Sequence, residues 1–121
     1  MKFKVTPQSI PDVLLIEPTV FADDRGYFKE SYNLKEFEEF LLGVRFVQDN
    51  ESKSSMGVLR GLHFQKAPYA QAKLMRVIQG SIWDVAVDIR LESPTFKQYV
   101  FADLTAENHA IYFIPRGFAH G

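Results

Sequence analysis

The sequence has no cysteine among its 121 residues. This absence excludes disulfide bonds, thiolate zinc sites, iron–sulfur clusters and cysteine nucleophiles. The chain also lacks an excess of either charge, because 14 Lys and Arg residues stand against 15 Asp and Glu residues, a formal net charge of -1. A nearly neutral chain is not expected to bind nucleic acid or a membrane surface through bulk charge.

Long apolar segments are missing as well. The longest aliphatic run covers only residues 13–16, which is far too short to cross a membrane, and the first residues contain no apolar stretch of the kind found in secretory signals. The expected location is the cytoplasm. Aromatic residues are plentiful, with 11 Phe, 5 Tyr and 1 Trp, so the chain can build one hydrophobic core. A single domain over residues 1–121 is predicted.

Most of the chain is predicted to be β-strand. The clearest strand covers residues 81–90, where apolar and polar side chains alternate with a period of two. A second strand is predicted at residues 73–78, with Gln79 and Gly80 forming the turn between the two. The remaining predicted strands cover residues 13–21, 45–50, 58–65, 96–104 and 110–114.

One short helix is predicted at residues 34–42. Asn33 can cap its amino end, and Glu36 follows three residues later in a capping-box arrangement. Gly43 is a typical stop signal. The apolar residues that share one face of this helix are Leu34, Phe37, Phe40 and Leu41. Many short strands with one small helix predict an all-β sandwich or barrel.

Several polar side chains suggest proton-transfer chemistry. An imidazole that projects into a closed β-barrel can remove a proton from a carbon acid, and His63 and His120 both lie in informative settings. Lys73 is flanked by apolar residues on a predicted inner strand, where its ammonium group is able to stabilise an enolate. Arg25 and Arg60 are candidates for binding phosphate oxygens, because a guanidinium group binds them in bidentate fashion.

Structural interpretations of the same residues remain open. A strand histidine is often only a hydrogen-bonded structural residue, Lys73 can extend to solvent, and Arg60 can pair with Asp84 or Glu51. A lone strand carboxylate such as Asp84 is usually solvated or ion-paired, and His109 is expected to be a surface residue. Arg60 and His63 also have opposite parity on an ideal strand, unless Gly61 introduces a bulge.

Six segments together resemble one known family, the dTDP-4-dehydrorhamnose 3,5-epimerases of the rhamnose pathway, which belong to the cupin superfamily. The segments occur in the family's order and cover essentially the whole chain, so the resemblance is far more specific than any single motif. They read DRGYFKESY at 24–32, FVQDNES at 46–52, VLRGLHFQ at 58–65, KLMRV at 73–77, DVAVDIR at 84–90 and PRGFAHG at 115–121.

The resemblance implies a cupin jelly-roll β-barrel and a homodimer that exchanges N-terminal strands. It implies epimerisation of dTDP-4-dehydro-6-deoxy-glucose at C3 and C5 to dTDP-4-dehydro-L-rhamnose, without a metal or another cofactor. His63 resembles the general base, and Lys73 resembles the residue that stabilises the C4 enolate. The positions that resemble substrate contacts are Arg25, Phe28, Glu30, Gln48, Asp49, Asn50, Arg60 and His120; the first three of these resemble contacts to the nucleotide end across the dimer interface.

The sequence departs from the family's pattern at its end. Family members continue well past the position of Gly121, and they carry there a tyrosine that resembles the general acid and an aspartate that orients the base. The sequence is therefore expected to lack the family's C-terminal segment, and Tyr112 does not occupy the tyrosine's motif.

Three alternatives to the double epimerase remain open. The first is a non-catalytic nucleotide-sugar-binding module. The second is a related dTDP-sugar 5-epimerase, 3-epimerase or 3,4-ketoisomerase. The third is a metal-dependent cupin. Residues 115–120 fit the second metal-binding motif of that class, although His63-Phe64-Gln65 stands where its first motif has a His-x-His pair.

Overall fold

The computed structural model describes residues 2–41 and 43–121. Its described part is nearly all β-structure, and the predicted all-β fold with one short helix is confirmed. The elements in chain order are β1 (Phe3–Pro7), β2 (Leu14–Pro18), β3 (Val20–Asp23), β4 (Gly26–Lys29), α1 (Leu34–Phe40), β5 (Lys73–Arg76), β6 (Ser81–Asp88), β7 (Tyr99–Thr105), β8 (Ile111–Ile114) and β9 (Phe118–His120).

The strands form three antiparallel sheets. One has the order β1-β2-β8-β5, another has the order β7-β6-β9, and β3 and β4 form a two-stranded sheet. The two larger sheets pack against each other, because Tyr112 and Ile114 of β8 share a buried cluster with Ala86 of β6 and Phe118 of β9. We call the region between these two sheets the intersheet space.

A second cluster covers the opposite face of the four-stranded sheet. Ile111 and Phe113 of β8 point into it and meet Phe37 of α1, so β8 is buried on both faces. The Asn33 side chain caps the helix by accepting a hydrogen bond from the Glu36 backbone N–H at 3.2 Å, as predicted. The helix ends at Phe40, and the last predicted helical position, residue 42, lies outside the described residues.

Two predicted strands are wrong. Residues 45–50 and 58–65 form no strand in the structure, which describes both segments in full, and only His63 makes an isolated bridge, to His120. Gly61 explains part of this difference. Its φ is +94°, and a Cβ atom there would lie only 2.7 Å from the His120 carbonyl oxygen. A chain that passes this close in a left-handed conformation cannot continue a regular ladder.

The predicted pairing of β5 with β6 is also wrong. β5 pairs with β8 in one sheet, whereas β6 pairs with β7 and β9 in the other. Gln79 and Gly80 therefore carry the chain from one sheet to the other and do not close a hairpin. A period of two in the sequence identifies a strand, but it does not identify the strand's partner.

A buried ion pair closes one end of β6. Asp88 is fully buried, and its carboxylate accepts hydrogen bonds from Arg90 Nε and Nη2, both at 3.0 Å, and from the hydroxyls of Ser93 at 2.6 Å and Thr95 at 2.5 Å. Arg90 also reaches Asp12 at 2.6 Å. The network joins the loop after β6 to the turn before β2. It holds the pKa of Asp88 far below its ordinary value of 3.8, with the Arg90 hydrogen bonds as the main cause.

We expect this network to make the fold acid-sensitive. A carboxyl group with a lowered pKa in the folded state stabilises the fold fully above its ordinary value of 3.8, and this contribution is lost as the pH falls toward the folded-state pKa. Urea unfolding at pH values from neutral to well below 3.8 measures the loss. Below neutral pH, the free energy of unfolding of an Asp88→Asn variant should fall less steeply with decreasing pH than that of the parent chain. Equal pH dependence for the two proteins would contradict the assignment of the acid sensitivity to Asp88.

Candidate active site between the two sheets

His120 lies on β9 of the three-stranded sheet, and His63 forms an isolated bridge to it on that side of the intersheet space. The backbone groups of His63 and His120 exchange hydrogen bonds of 2.8 and 2.9 Å, and His120 pairs in turn with Ala86 of β6. Directly paired residues of antiparallel strands project from the same face. Because Ala86 is completely buried in the cluster between the sheets, the register puts both histidines on the same face as Ala86, although the His63 side chain is exposed to solvent.

Lys73 faces the same space from the opposite sheet. It is paired with Ile114 of β8, and Met75 is paired with Tyr112 two residues further along. Ile114 and Tyr112 belong to the buried cluster between the sheets, and Met75 packs against it. Lys73 therefore shares the inner face, and its Nζ donates to Gln71 Oε1 at 2.9 Å. The two predicted catalytic residues thus face one space from its two walls.

Asp84 belongs to this site, although it was expected to be a solvated or ion-paired strand residue. It is only 1% exposed, and its Oδ1 lies 2.6 Å from His120 Nε2. Tyr112 is fully buried nearby; burial raises its pKa to about 12, with a smaller contribution from the Asp84 charge. The alternation of β6 contained a signal for this, because Asp84 shares its parity with the buried Ala86.

The residues predicted to meet the nucleotide end lie on or beside the β3–β4 hairpin, which forms a sheet of its own. Arg25 occupies the hairpin turn and pairs with Asp23 at 2.7 Å. Phe28 is 71% exposed on β4. Glu30 accepts from Lys2 at 2.9 Å. The hairpin therefore presents an aromatic ring and a charged turn outward.

The other predicted contacts lie in the long irregular connection between α1 and β5. Gln48 Nε2 donates to Asn50 Oδ1 at 3.2 Å, and Asp49 between them is exposed. Arg60 is exposed and donates from Nε to Ser54 Oγ at 2.8 Å. The alternative pairing of Arg60 with Asp84 or Glu51 is wrong for this structure.

His109 is not the surface residue that its turn sequence predicts. Its side chain is half-buried, and its Nδ1 lies 2.9 Å from Lys29 Nζ, which connects the hairpin to the turn between β7 and β8. The ring also packs edge-on against Tyr27, with centroids 4.7 Å apart. Burial, followed by the Lys29 charge, lowers the pKa of His109.

Two further findings concern the described residues as a set. In residues 2–41 and 43–121, no three His, Asp or Glu side chains group closely enough to hold a metal ion together. Within the same ranges, no helix has the length and apolar character needed to cross a membrane.

Known proteins resemble this chain in sequence and in fold. The family model of dTDP-4-dehydrorhamnose 3,5-epimerase matches residues 7–121. The enzyme of that name from Salmonella typhimurium is 60% identical over 119 residues, covering 97% of this chain and 64% of its own length. The enzyme of that name from Shigella flexneri is 58% identical over 118 residues, covering 97% of this chain and 65% of its own length.

A solved structure shows the same similarity in three dimensions. It is the dTDP-6-deoxy-D-glucose-3,5-epimerase from Legionella pneumophila in complex with dTDP-4-keto-L-rhamnose. It is 49% identical to this chain, superimposes with a TM-score of 0.93, and is matched over 98% of this chain and 63% of its own. The chain thus spans slightly less than two thirds of the Shigella flexneri and Salmonella typhimurium enzymes, at 65% and 64% of their lengths.

Proposed function

The chain belongs to the dTDP-4-dehydrorhamnose 3,5-epimerase family, and we propose that it epimerises dTDP-4-dehydro-6-deoxy-glucose at C3 and C5. The product of this reaction is dTDP-4-dehydro-L-rhamnose. The observation that carries the proposal is the placement of His63 and Lys73 on opposite walls of one intersheet space. We treat residues 1–121 as one cupin-like domain, and a cytoplasmic location stays a prediction of the sequence.

The chemistry follows from the ketone at C4 of the sugar. The carbonyl group acidifies the hydrogens on both neighbouring carbons, so a single base can serve C3 and C5 in turn. His63 takes the proton from the carbon, and the electron pair moves into the carbonyl to form an enolate. The ammonium group of Lys73 stabilises the enolate oxygen. A proton from solvent then adds to the opposite face of the carbon, which inverts the centre, and the protonated His63 releases its own proton to solvent.

We assign the binding of the substrate's nucleotide end to residues from a second copy of the chain. Arg25, Phe28 and Glu30 lie on or beside a hairpin that is separate from the two larger sheets, with Phe28 turned outward. In a homodimer this hairpin can enter the partner's site, where Arg25 binds phosphate oxygens and Phe28 stacks on the base. The sugar end remains with His63 and Lys73. A nucleotide sugar, and not a nucleic acid, is the proposed ligand.

The irregular segment supplies the remaining contacts. Among residues 2–41 and 43–121, the Arg60 side chain bonds only to the Ser54 hydroxyl, so its guanidinium group retains donors for the diphosphate. The amide groups of Gln48 and Asn50 bond to each other, and Asp49 is exposed between them. We assign these residues, together with His120, to the walls of the nucleotide-sugar site.

Replacing Lys73 by alanine should lower kcat far more than it weakens binding. The ammonium group is proposed to act on the charge that develops at the enolate oxygen, and such interactions favour the transition state over the bound ketone. A loss of roughly 10²-fold or more in kcat with KM changed little is the expected result. Lys66→Ala, in the exposed irregular segment, is the control. A rise in KM with kcat intact would move Lys73 to phosphate binding.

Product analysis separates the double epimerase from its alternatives. The chain is incubated with dTDP-4-dehydro-6-deoxy-glucose, and the sugar is examined by NMR for its configuration and for the position of the ketone. Inversion at both C3 and C5 supports the proposal. Inversion at one centre indicates a 3- or 5-epimerase, and migration of the ketone to C3 indicates a ketoisomerase. Bound but unchanged sugar indicates a binding module.

A further inference from the structure

The inner wall of the site contains polar atoms that the protein leaves unpartnered. In the part of the chain that the structure describes, both carboxylate oxygens of Asp84, the Tyr112 hydroxyl and His120 Nε2 are buried without a hydrogen-bond partner. Leaving such groups buried and unpaired is costly, because each has given up its hydrogen bonds to water. Because these atoms lie together on facing walls of the intersheet space, we expect small side-chain rotations and a polar ligand to supply their missing hydrogen bonds.

The geometry around His120 shows how the cluster can be completed. His120 Nε2 lies 2.6 Å from Asp84 Oδ1, which is close enough for a hydrogen bond, but the angle between the two groups is unfavourable for one. A small rotation of the imidazole ring closes that bond. Asp84 as a carboxylate only accepts, so it selects the imidazole form that carries a proton on Nε2.

The other ring nitrogen is then free for the ligand. His120 Nε2 is buried against Asp84, whereas 19% of the His120 side chain is exposed. In a neutral imidazole with its proton on Nε2, Nδ1 carries a lone pair and accepts hydrogen bonds. Sugar hydroxyl groups are suitable donors.

Resting on the proposed function, we propose that Asp84 is a positioning residue that fixes His120 as its Nε2–H tautomer, so that Nδ1 accepts a hydrogen bond from a sugar hydroxyl. Asp84 does not touch the sugar in this arrangement. Tyr112, on the facing strand, is a second potential donor to the same carboxylate. The backbone bridge between His120 and His63 makes this arrangement part of the frame that holds the base.

The tautomer can be measured directly. The full chain is labelled with ¹⁵N-histidine, and long-range ¹H–¹⁵N correlation identifies which His120 nitrogen carries the proton. We expect Nε2–H as the dominant form in the unmodified chain. Asp84→Asn keeps the shape of the side chain but offers both a donor and an acceptor, so Nδ1–H should become substantially populated. Tyr112→Phe, the matched control, removes only a hydroxyl and should leave Nε2–H dominant.

Kinetics supply the second readout. The Asp84→Asn variant should raise KM about tenfold, the loss expected for one hydrogen bond to the ligand, with a smaller change in kcat. A dominant Nδ1–H form in the unmodified chain, or the same tautomer and KM in Asp84→Asn, would overturn the proposal. If the Asp84→Asn variant does not fold, the His120 tautomer in the unmodified chain still tests the proposal. An unmodified chain that leaves the sugar nucleotide unchanged removes the proposed function, whereas the tautomer measurement still tests Asp84.

Discussion

A His63→Ala variant is expected to lose solvent hydrogen exchange at both C3 and C5 of the sugar, by roughly 10²- to 10⁴-fold. One base is proposed to serve both carbons, so the two losses should be equal in size. The fold should survive, because His63 contributes to structure through its backbone bridge to His120 and its side chain is exposed. Mass spectrometry of sugar recovered from deuterium oxide measures the exchange.

The matched control is His109→Ala. The His109 imidazole packs against the β3–β4 hairpin, outside the intersheet space, so at saturating nucleotide sugar its removal should leave both exchange rates close to those of the parent chain. A His63→Ala variant that keeps near-normal exchange would remove His63 from the role of base. Loss at only one carbon would require a second base for the other.

An Asp88→Asn variant is expected to lower the free energy of unfolding by about 3–5 kcal/mol. The substitution removes the buried one of the two carboxylates that pair with Arg90, leaving only the half-exposed Asp12, and it weakens the acceptor for the hydroxyls of Ser93 and Thr95. Urea unfolding at neutral pH measures the change.

Asp12→Asn tests whether burial accounts for that effect. Asp12 pairs with the same Arg90 at 2.6 Å, but half of its side chain is exposed, so its removal should cost less than about 1 kcal/mol. Similar losses for the two variants would show that burial of Asp88 is not the source of its contribution.

The fold could be predicted where local pattern and tertiary packing agree. The helix at Leu34–Phe40 has both a capping residue and an apolar face, and β6 alternates over its whole length. The region 58–65 also has β-forming residues, but its conformation is decided by the close passage of Gly61 against the His120 carbonyl. Contacts between residues so distant in the chain leave no periodic signal in the sequence.

The candidate site, too, could be predicted only in part from the sequence. His63 and Lys73 could be identified as candidates from their chemical character and from the family motifs, and register places both on inner faces. The parity conflict between Arg60 and His63 does not arise, because the left-handed Gly61 interrupts the alternation between them. The parity of Asp84 marks it as inward-facing, but its pairing with His120 depends on β9, which the sequence of β6 does not contain.

The central claim is that this chain removes and returns protons at the carbons beside the C4 ketone. Deuterium uptake by the sugar of dTDP-4-dehydro-6-deoxy-glucose, followed carbon by carbon by NMR in deuterium oxide with the unmodified chain, tests it most directly. The account predicts deuterium at C3 and at C5, at rates far above those without protein. Tight binding of the nucleotide sugar with both positions still carrying protium would contradict it.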